Sequence, residues 1–379
     1  MVLVIGGTLI SFLITFFLMP FIIRIARINK LYDIPDERKT HTYSISSLGG
    51  VGIVAGLSIS LLLISDFKMG ESEFQYFLAS IFIIFILGVI DDIFVLRAWK
   101  KVLFQILVAA LLTAKGHLLI LNLHGLAGIG ELGNAMSYLI TFFVIILVVN
   151  SFNLIDGIDG LAGSLGLVSS LTFGTFFLIN GNIAYAIIGY ALSGSLLAFL
   201  YFNFPPAKIF MGDSGSMLIG LVNAILLIEF IQVGNTDIAH PVYSPFVVGF
   251  GILTVPLLDV LRVFIIRLTK GVSPFAPDRN HLHHLLLVKG FTHKQVTLLM
   301  VGASIVFSAI VFNLQLLDTN LVMILLTLLF FAGVFIIKYF LPSRKLHVVA
   351  DKDTNTQPVG DGKVLTLYGK NEAAVVKED

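Results

Sequence analysis

The chain has no cysteine in its 379 residues, so neither a disulfide framework nor a thiolate site is available, and cysteine usage says nothing of its redox compartment. Charge is scarce as well. Only 12% of residues are Asp, Glu, Lys or Arg against 57% hydrophobic, with a mean hydropathy of +0.98, which argues against a water-soluble fold. There is no GxxxxGKS or GxxxxGKT phosphate loop, no glycine-rich nucleotide fingerprint after a strand, and no basic surface suited to nucleic acid. No internal repeat is strong enough to suggest the inverted halves of many transporters, which weakens a transporter reading. The first apolar run, Val2 to Ile23, lacks a preceding basic segment and a small-residue cleavage site, so it is expected to be a retained first span. The net charge of +1 says little about partners, but its distribution is informative.

Apolar stretches compatible with spanning helices run at 2–23, 48–65, 76–90, 102–114, 136–152, 161–179, 183–200, 214–231, 245–266, 296–316 and 319–340. The expectation is an all-α polytopic membrane protein of about eleven transmembrane helices, the fourth short and extended toward Trp99 and Lys115 by lysine stems. Arg24, Arg27, Lys30, Arg38 and Lys39 lie after the first run, and Arg97, Lys100 and Lys101 after the third. Arg267, Lys270, Arg279, Lys289 and Lys294 lie after the ninth, whereas the opposite loops carry only Lys68 and Lys115. The positive-inside bias puts the basic loops in the cytoplasm, the N-terminus outside and the C-terminus inside. Residues 1–340 are expected to form one integral-membrane domain and 341–379 a cytoplasmic, flexible tail. The external loop at 116–135 is partly apolar. Its His117, His124 and Glu131 lack tight ligand spacing and favour a structural or lipid-facing role over a metal site.

This topology collects the unusual polar residues on the cytoplasmic side. Asp91 and Asp92 end the third span. Asn153, Asp156 and Asp159 end the fifth, in NSFNLIDGIDGLAGS at 150–164. Carboxylates at the end of a membrane helix are costly unless they have a function. Asp156 and Asp159 share a helical face, so the pair suits a divalent cation or a phosphate ligand; the competing reading is a polar loop that bends at glycine. Asp91 and Asp92 diverge by about 100° on a helix and need not serve one role. Lys208 and Asp213 precede the eighth span, in IFMGDSGSMLIG, where Asp213 is either a helix cap or a metal ligand and the Ser214 hydroxyl can cap the helix. SPFAPDRNHLHH at 273–284 brings Asp278, Arg279, Asn280, His281, His283 and His284 to the same side. The histidine spacing admits zinc. Magnesium on carboxylate oxygens, with Arg279 and the histidines donating to a diphosphate, matches the aspartates better. Lys39 and His41 in the first cytoplasmic loop add positive charge, although topology alone also explains basic residues there.

With the Asp91–Asp92 pair, NLIDGIDGLAG at 153–163, FMGDSGS at 210–216 and PDRNHLHH at 277–284, the chain resembles the polyprenyl-phosphate N-acetylhexosamine-1-phosphate transferase family over about residues 1–340. HLHH after PDRN is similar to the branch that uses UDP-N-acetylglucosamine, and less like the phospho-N-acetylmuramoyl-pentapeptide branch. The resemblance implies a multi-pass enzyme of the bacterial cytoplasmic (inner) membrane whose active site faces the cytoplasm. Its acceptor would be undecaprenyl phosphate, its donor a UDP-N-acetylhexosamine and its cofactor Mg2+, with Mn2+ as a substitute; its other partners would be membrane lipids and a second copy in a homodimer. Its product would initiate O-antigen, teichoic acid or a related envelope polymer. By the same resemblance, Asp213 is the leading metal ligand with Asp92 nearby. Asp91, Asp92, Asp156, Asp159 and His281 form the catalytic set. Lys39, His41, Asn153, Lys208, Arg279, His283 and His284 would contact substrate. Competing readings are the same chemistry on another donor, a transporter of a phosphorylated solute, and a noncatalytic membrane scaffold.

Overall fold

A computed structural model of the chain describes residues 1–29, 45–64, 71–94, 96–236, 238–273 and 280–342, with the backbone of two short strands in the tail. Each of the eleven apolar runs is helical. The helices are α1 (Val2–Ile28), α2 (Gly49–Leu63), α3 (Glu71–Phe94), α4 (Ala98–Ala114), α5 (Asn134–Ile155), α6 (Leu161–Ile179) and α7 (Ile183–Asn203). They continue with α8 (Gly212–Val233), α9 (Pro245–Ile252), α10 (Thr254–Thr269), α11 (Leu282–Val288), α12 (His293–Leu314) and α13 (Thr319–Tyr339). The tail carries an antiparallel hairpin of β1 (Leu365–Gly369) and β2 (Glu372–Val376).

Eight of the described helices, α1, α3, α5 to α8, α12 and α13, are long and apolar enough to cross a membrane. The ninth apolar run is not one rod: α9 and α10 meet at an angle of 83°. Pro245 starts α9 and Pro256 falls in the first turn of α10, positions where a missing amide hydrogen costs least. Helices α2 and α4, of 15 and 17 residues, are shorter, and α4 starts beside Trp99 as the lysine-flanked reading expected.

Helix α8 is the axis of the bundle, with every residue from Ser214 to Ile231 buried except Glu229. It packs against α2, α3, α5, α6 and α7; α1 lies across α7 and α2, and α12 joins α6 to α9. Lipid tails are as apolar as leucine, so such a bundle is held by close packing and interhelical hydrogen bonds rather than by escape from water. Ser60 Oγ donates to Gly7 O (2.7 Å), and Asn150 Nδ2 to Gln105 Oε1 (2.7 Å). The loop at 116–133 is pinned by a bridge between Asn122 and Glu131, with a single 3-10 turn at Leu126–Gly128. In the same loop the His124 ring reaches Ile231 O on α8 (Nε2 to O 3.2 Å).

At the end of the bundle that carries the aspartates, buried Asn203 ties two loops together. Its Oδ1 accepts from the Gly160 amide (2.9 Å) and its Nδ2 donates to Ile209 O (2.8 Å). Asn203→Ala leaves both backbone groups unpaired and is expected to lower stability by about 2–6 kcal/mol, at about 1–3 kcal/mol per orphaned group. A thermal midpoint in detergent reads this loss directly.

Candidate active site

The site forms where the ends of α3, α5 and α10 meet the starts of α4, α8, α11 and α12. Helix α8 begins with no cap from a side chain of its own, so the cap expected of Ser214 is not made. Asp92 at the end of α3 supplies it: Oδ1 accepts from the Asp213 amide (2.7 Å) and Oδ2 from the Ser214 amide (3.2 Å). A carboxylate is stabilised there by the positive end of the helix dipole. Gly212 has φ +73°, and a Cβ there would run into Ser47 O and the Asp92 carboxylate, so this junction requires glycine.

Because α3 caps α8, the Asp213 side chain is released from that task. It turns to Lys101 of α4, whose Nζ donates to Asp213 Oδ2 at 2.6 Å and also pairs with Asp91 Oδ2. Asp91 Oδ1 accepts from the Leu96 amide at 2.6 Å, closing the turn that leads into α4. The adjacent aspartates therefore do diverge, Asp92 to α8 and Asp91 to Lys101. One ammonium thus holds two carboxylates, and sequence reading had counted Lys101 only as a topological charge. Asn153 is on the same rim, donating from Nδ2 to Ser216 Oγ at 3.1 Å.

The glycine-rich turn after α5 separates Asp156 from Asp159. Asp159 is buried and fastened: Oδ2 accepts from the Ala207 amide (3.2 Å) and lies 3.7 Å from His293 Nδ1, while its carbonyl accepts from Thr297 Oγ1 (3.0 Å). Asp156 is half-buried, and its carboxylate has no hydrogen bond or ion pair among the described residues. Burial, reinforced by the charges of Asp213, Asp92 and Asp159, pushes its pKa up to about 8.

The histidine segment packs on this turn. A Cβ at Gly157 would overlap the His283 ring, and the rings of His281 and His283 stack at 5.7 Å and 7°. His283 is buried with neither ring nitrogen bonded among the described residues; burial, followed by the charge of His284, pulls its pKa down to about 3. It is a neutral imidazole, able to donate one hydrogen bond but no charge. Gly157→Ala is expected to displace this ring and reduce turnover at least tenfold, which initial rates would show.

Of the remaining residues singled out in the sequence, His284 is half-buried beside His283, and Lys208 is exposed, its backbone amide donating to Phe202 O (2.8 Å). Lys39, His41, Asp278 and Arg279 lie outside the described residues. For a divalent cation, the hard oxygens of Asp213, Asp91 and the unpartnered Asp156 have suitable donor chemistry. No three of these groups converge on one point, so an ion there would be completed by phosphate and water, as magnesium commonly is.

A family model described as Glycosyl transferase family 4 matches residues 74–231, from α3 through α8, and so takes in Asp91, Asp92, Lys101, Asp156, Asp159 and Asp213. Similar curated proteins extend the match. An undecaprenyl-phosphate alpha-N-acetylglucosaminyl 1-phosphate transferase of Escherichia coli O157:H7 is 32% identical over 79% of this chain and 80% of its own length. The protein of the same name from Yersinia pestis is 31% identical over 74% and 76%. A decaprenyl-phosphate N-acetylglucosaminephosphotransferase of Mycobacterium leprae is 33% identical over 70% and 72%. With the aspartates of the site inside the matched segment and the relatives covering most of both chains, this membrane protein belongs to glycosyl transferase family 4.

Proposed function

We propose that the chain transfers N-acetylglucosamine 1-phosphate from UDP-N-acetylglucosamine to undecaprenyl phosphate. The products are UMP and undecaprenyl-diphospho-N-acetylglucosamine, which starts a cell-envelope polysaccharide. The names of the relatives support the sugar, which they share, and a polyprenyl phosphate acceptor, on whose length they differ. The observation that carries the reading is the Lys101 ammonium between Asp91 and Asp213 with the unpartnered Asp156 carboxylate alongside. That arrangement offers carboxylate oxygens to a divalent cation, through which a phosphate could be bound and neutralised. The eleven helical runs are proposed as eleven crossings of the cytoplasmic membrane, N-terminus outside, with the site open to the cytoplasm where the nucleotide sugar is found.

In the proposed reaction, an oxygen of the lipid phosphate attacks the phosphorus that bears the sugar. The bond from that phosphorus to the bridging oxygen breaks, and UMP leaves with the bridging electron pair. A phosphate monoester is largely ionised at neutral pH, so alignment and charge neutralisation count for more than a strong base. Lys101 orients the Asp91 and Asp213 carboxylates, Asp92 holds the start of α8 in register, and His281 and His284 face the diphosphate. Asp213 and Asp156 would hold Mg2+, which would supply charge neutralisation of the diphosphate. The alternative course has an aspartate as nucleophile and a covalent phospho-sugar enzyme. Label trapped on protein from donor alone would favour it, and product formation by Asp91→Ala would exclude Asp91 as that nucleophile. For the function itself, UMP release should require donor, polyprenyl phosphate and Mg2+ together; release that ignores the lipid would refute the reading.

Asp156 gives the metal proposal a pH signature. In the ligand-free protein it binds a proton below about pH 8, and a cation must displace that proton. Affinity for Mg2+ is therefore expected to rise with pH up to about 8, with a proton released on binding; calorimetry in buffers of different ionisation enthalpy reads both. The sign for stability is opposite. The raised value favours the folded state fully below the unfolded pKa of about 4, and that advantage is lost as pH rises through about 8. Without metal, Asp156→Asn should flatten this decline.

A further inference from the structure

Beyond the aspartate cluster, a second carboxylate is buried inside the ninth apolar run, in the second turn of α10. Asp259 is 0% exposed, yet it reaches three groups at the start of the histidine segment or beside it. Oδ2 accepts from His281 Nδ1 at 3.0 Å. Oδ1 accepts from the Leu282 amide at 2.9 Å and from Arg262 Nη2 at 2.9 Å. Arg262 Nη2 also donates to the Asn280 carbonyl. A carboxylate and a guanidinium one helical turn apart thus clamp three consecutive residues, Asn280, His281 and Leu282, onto α10. Neither belongs to the motifs that carry the family resemblance, and both lie beyond the 74–231 match.

The bland role for such a pair is to anchor a short helix. The contact at His281 asks for more, because of the atom it uses. An ionised carboxylate only accepts, so Nδ1 must carry the hydrogen, and Nε2 is left as the working nitrogen. Nε2 has no protein partner among the described residues. The ring stacks on His283, which packs on Gly157 beside Asp156, so it stands one ring away from the turn of the aspartate cluster. The other charged or titratable groups around it are Arg262 on α10, His283 and His284 on α11, and His293 on α12.

We infer that Asp259 is a positioning residue of the transfer reaction: through Nδ1 it fixes the tautomer and orientation of His281, so that Nε2 is held as an acceptor for a hydroxyl or bound water of the nucleotide-sugar. Arg262 pairs with Asp259 and holds the backbone at Asn280. This inference rests on the proposed phosphosugar transfer.

The test is a double-mutant cycle of Asp259→Asn and His281→Gln on the purified full chain, reading kcat and the KM for donor separately, with a thermal midpoint for each variant. Asp259→Asn is expected to lower kcat by about 10- to 100-fold, the range for removing a group that orients a functional histidine. The KM for donor should change little. In the His281→Gln background the same change should add almost nothing, because the residue acts through that ring. Losses that multiply, or an unchanged kcat in Asp259→Asn, would overturn the inference. Asp259→Asn strands the buried Arg262 charge. If it does not fold, the charge-balanced Asp259→Asn/Arg262→Gln pair takes its place in the cycle with the same two outcomes. A wild-type protein that turns over no donor would overturn the function and this inference together; an active wild type with multiplicative losses would overturn only the inference.

Discussion

Lys101→Met is expected to reduce transfer by at least a hundredfold. Its ammonium neutralises Asp91 and Asp213 at the same time, with Asp92 and Asp156 close behind. Without it, a donor bearing a diphosphate must approach uncompensated carboxylates. Loss of one preorganised donor at a site of developing charge costs about 10²–10³ in turnover. Breaking a buried pair costs about 3–5 kcal/mol in stability, but Asp213 is 29% and Lys101 20% exposed, so solvent screening reduces the figure here. The kinetic loss should therefore exceed what a modest fall in thermal midpoint explains. Lys101→Arg should recover only part of it, because a planar fork cannot replace a compact ammonium between two carboxylates. A Lys101→Met enzyme within tenfold of wild type would remove Lys101 from the site.

Asp92→Ala should be equally severe for a different reason. Two amides at the start of α8 lose their acceptor together, and a lost helix cap costs about 0.5–2 kcal/mol. Asp213 sits on the turn that Asp92 holds, so its carboxylate loses its placement toward Lys101. Turnover should fall about 10²-fold or more, the usual cost when a functional group moves by an ångström. Asp92→Asn separates the roles. Its amide oxygen can still accept one of the two N–H groups, so stability should return most of the way to wild type. Kinetics and thermal midpoints measured together check this; equal destabilisation by Asn and Ala would argue against the capping role.

Much of this site is legible in the sequence because its chemistry is expensive in a membrane. Asp91–Asp92, the DGIDG turn and GDSG stand out as acidic groups at span ends, and the structure joins the first two to the start of α8 and the histidine segment to the turn. The division of labour was not legible. That Asp92 caps α8, releasing Asp213 for Lys101, depends on how α3 crosses α8, which no periodicity encodes. Lys101 was hidden among basic residues that topology already explains. Asp259 and Arg262 were hidden inside an apolar run, although an ionisable pair at helical spacing within a span is itself a signal of function. That the apolar runs are helical follows from hydropathy. The 83° break between α9 and α10 does not, because proline in a first turn is compatible with a straight helix.

The most direct test of the central claim follows the β-phosphorus of the donor. UDP-N-acetylglucosamine labelled on that atom, incubated with the purified protein, undecaprenyl phosphate and Mg2+, should pass its label to the lipid product in step with unlabelled UMP. Label that stays with the nucleotide as UDP, while sugar moves to the lipid, would contradict phosphosugar transfer.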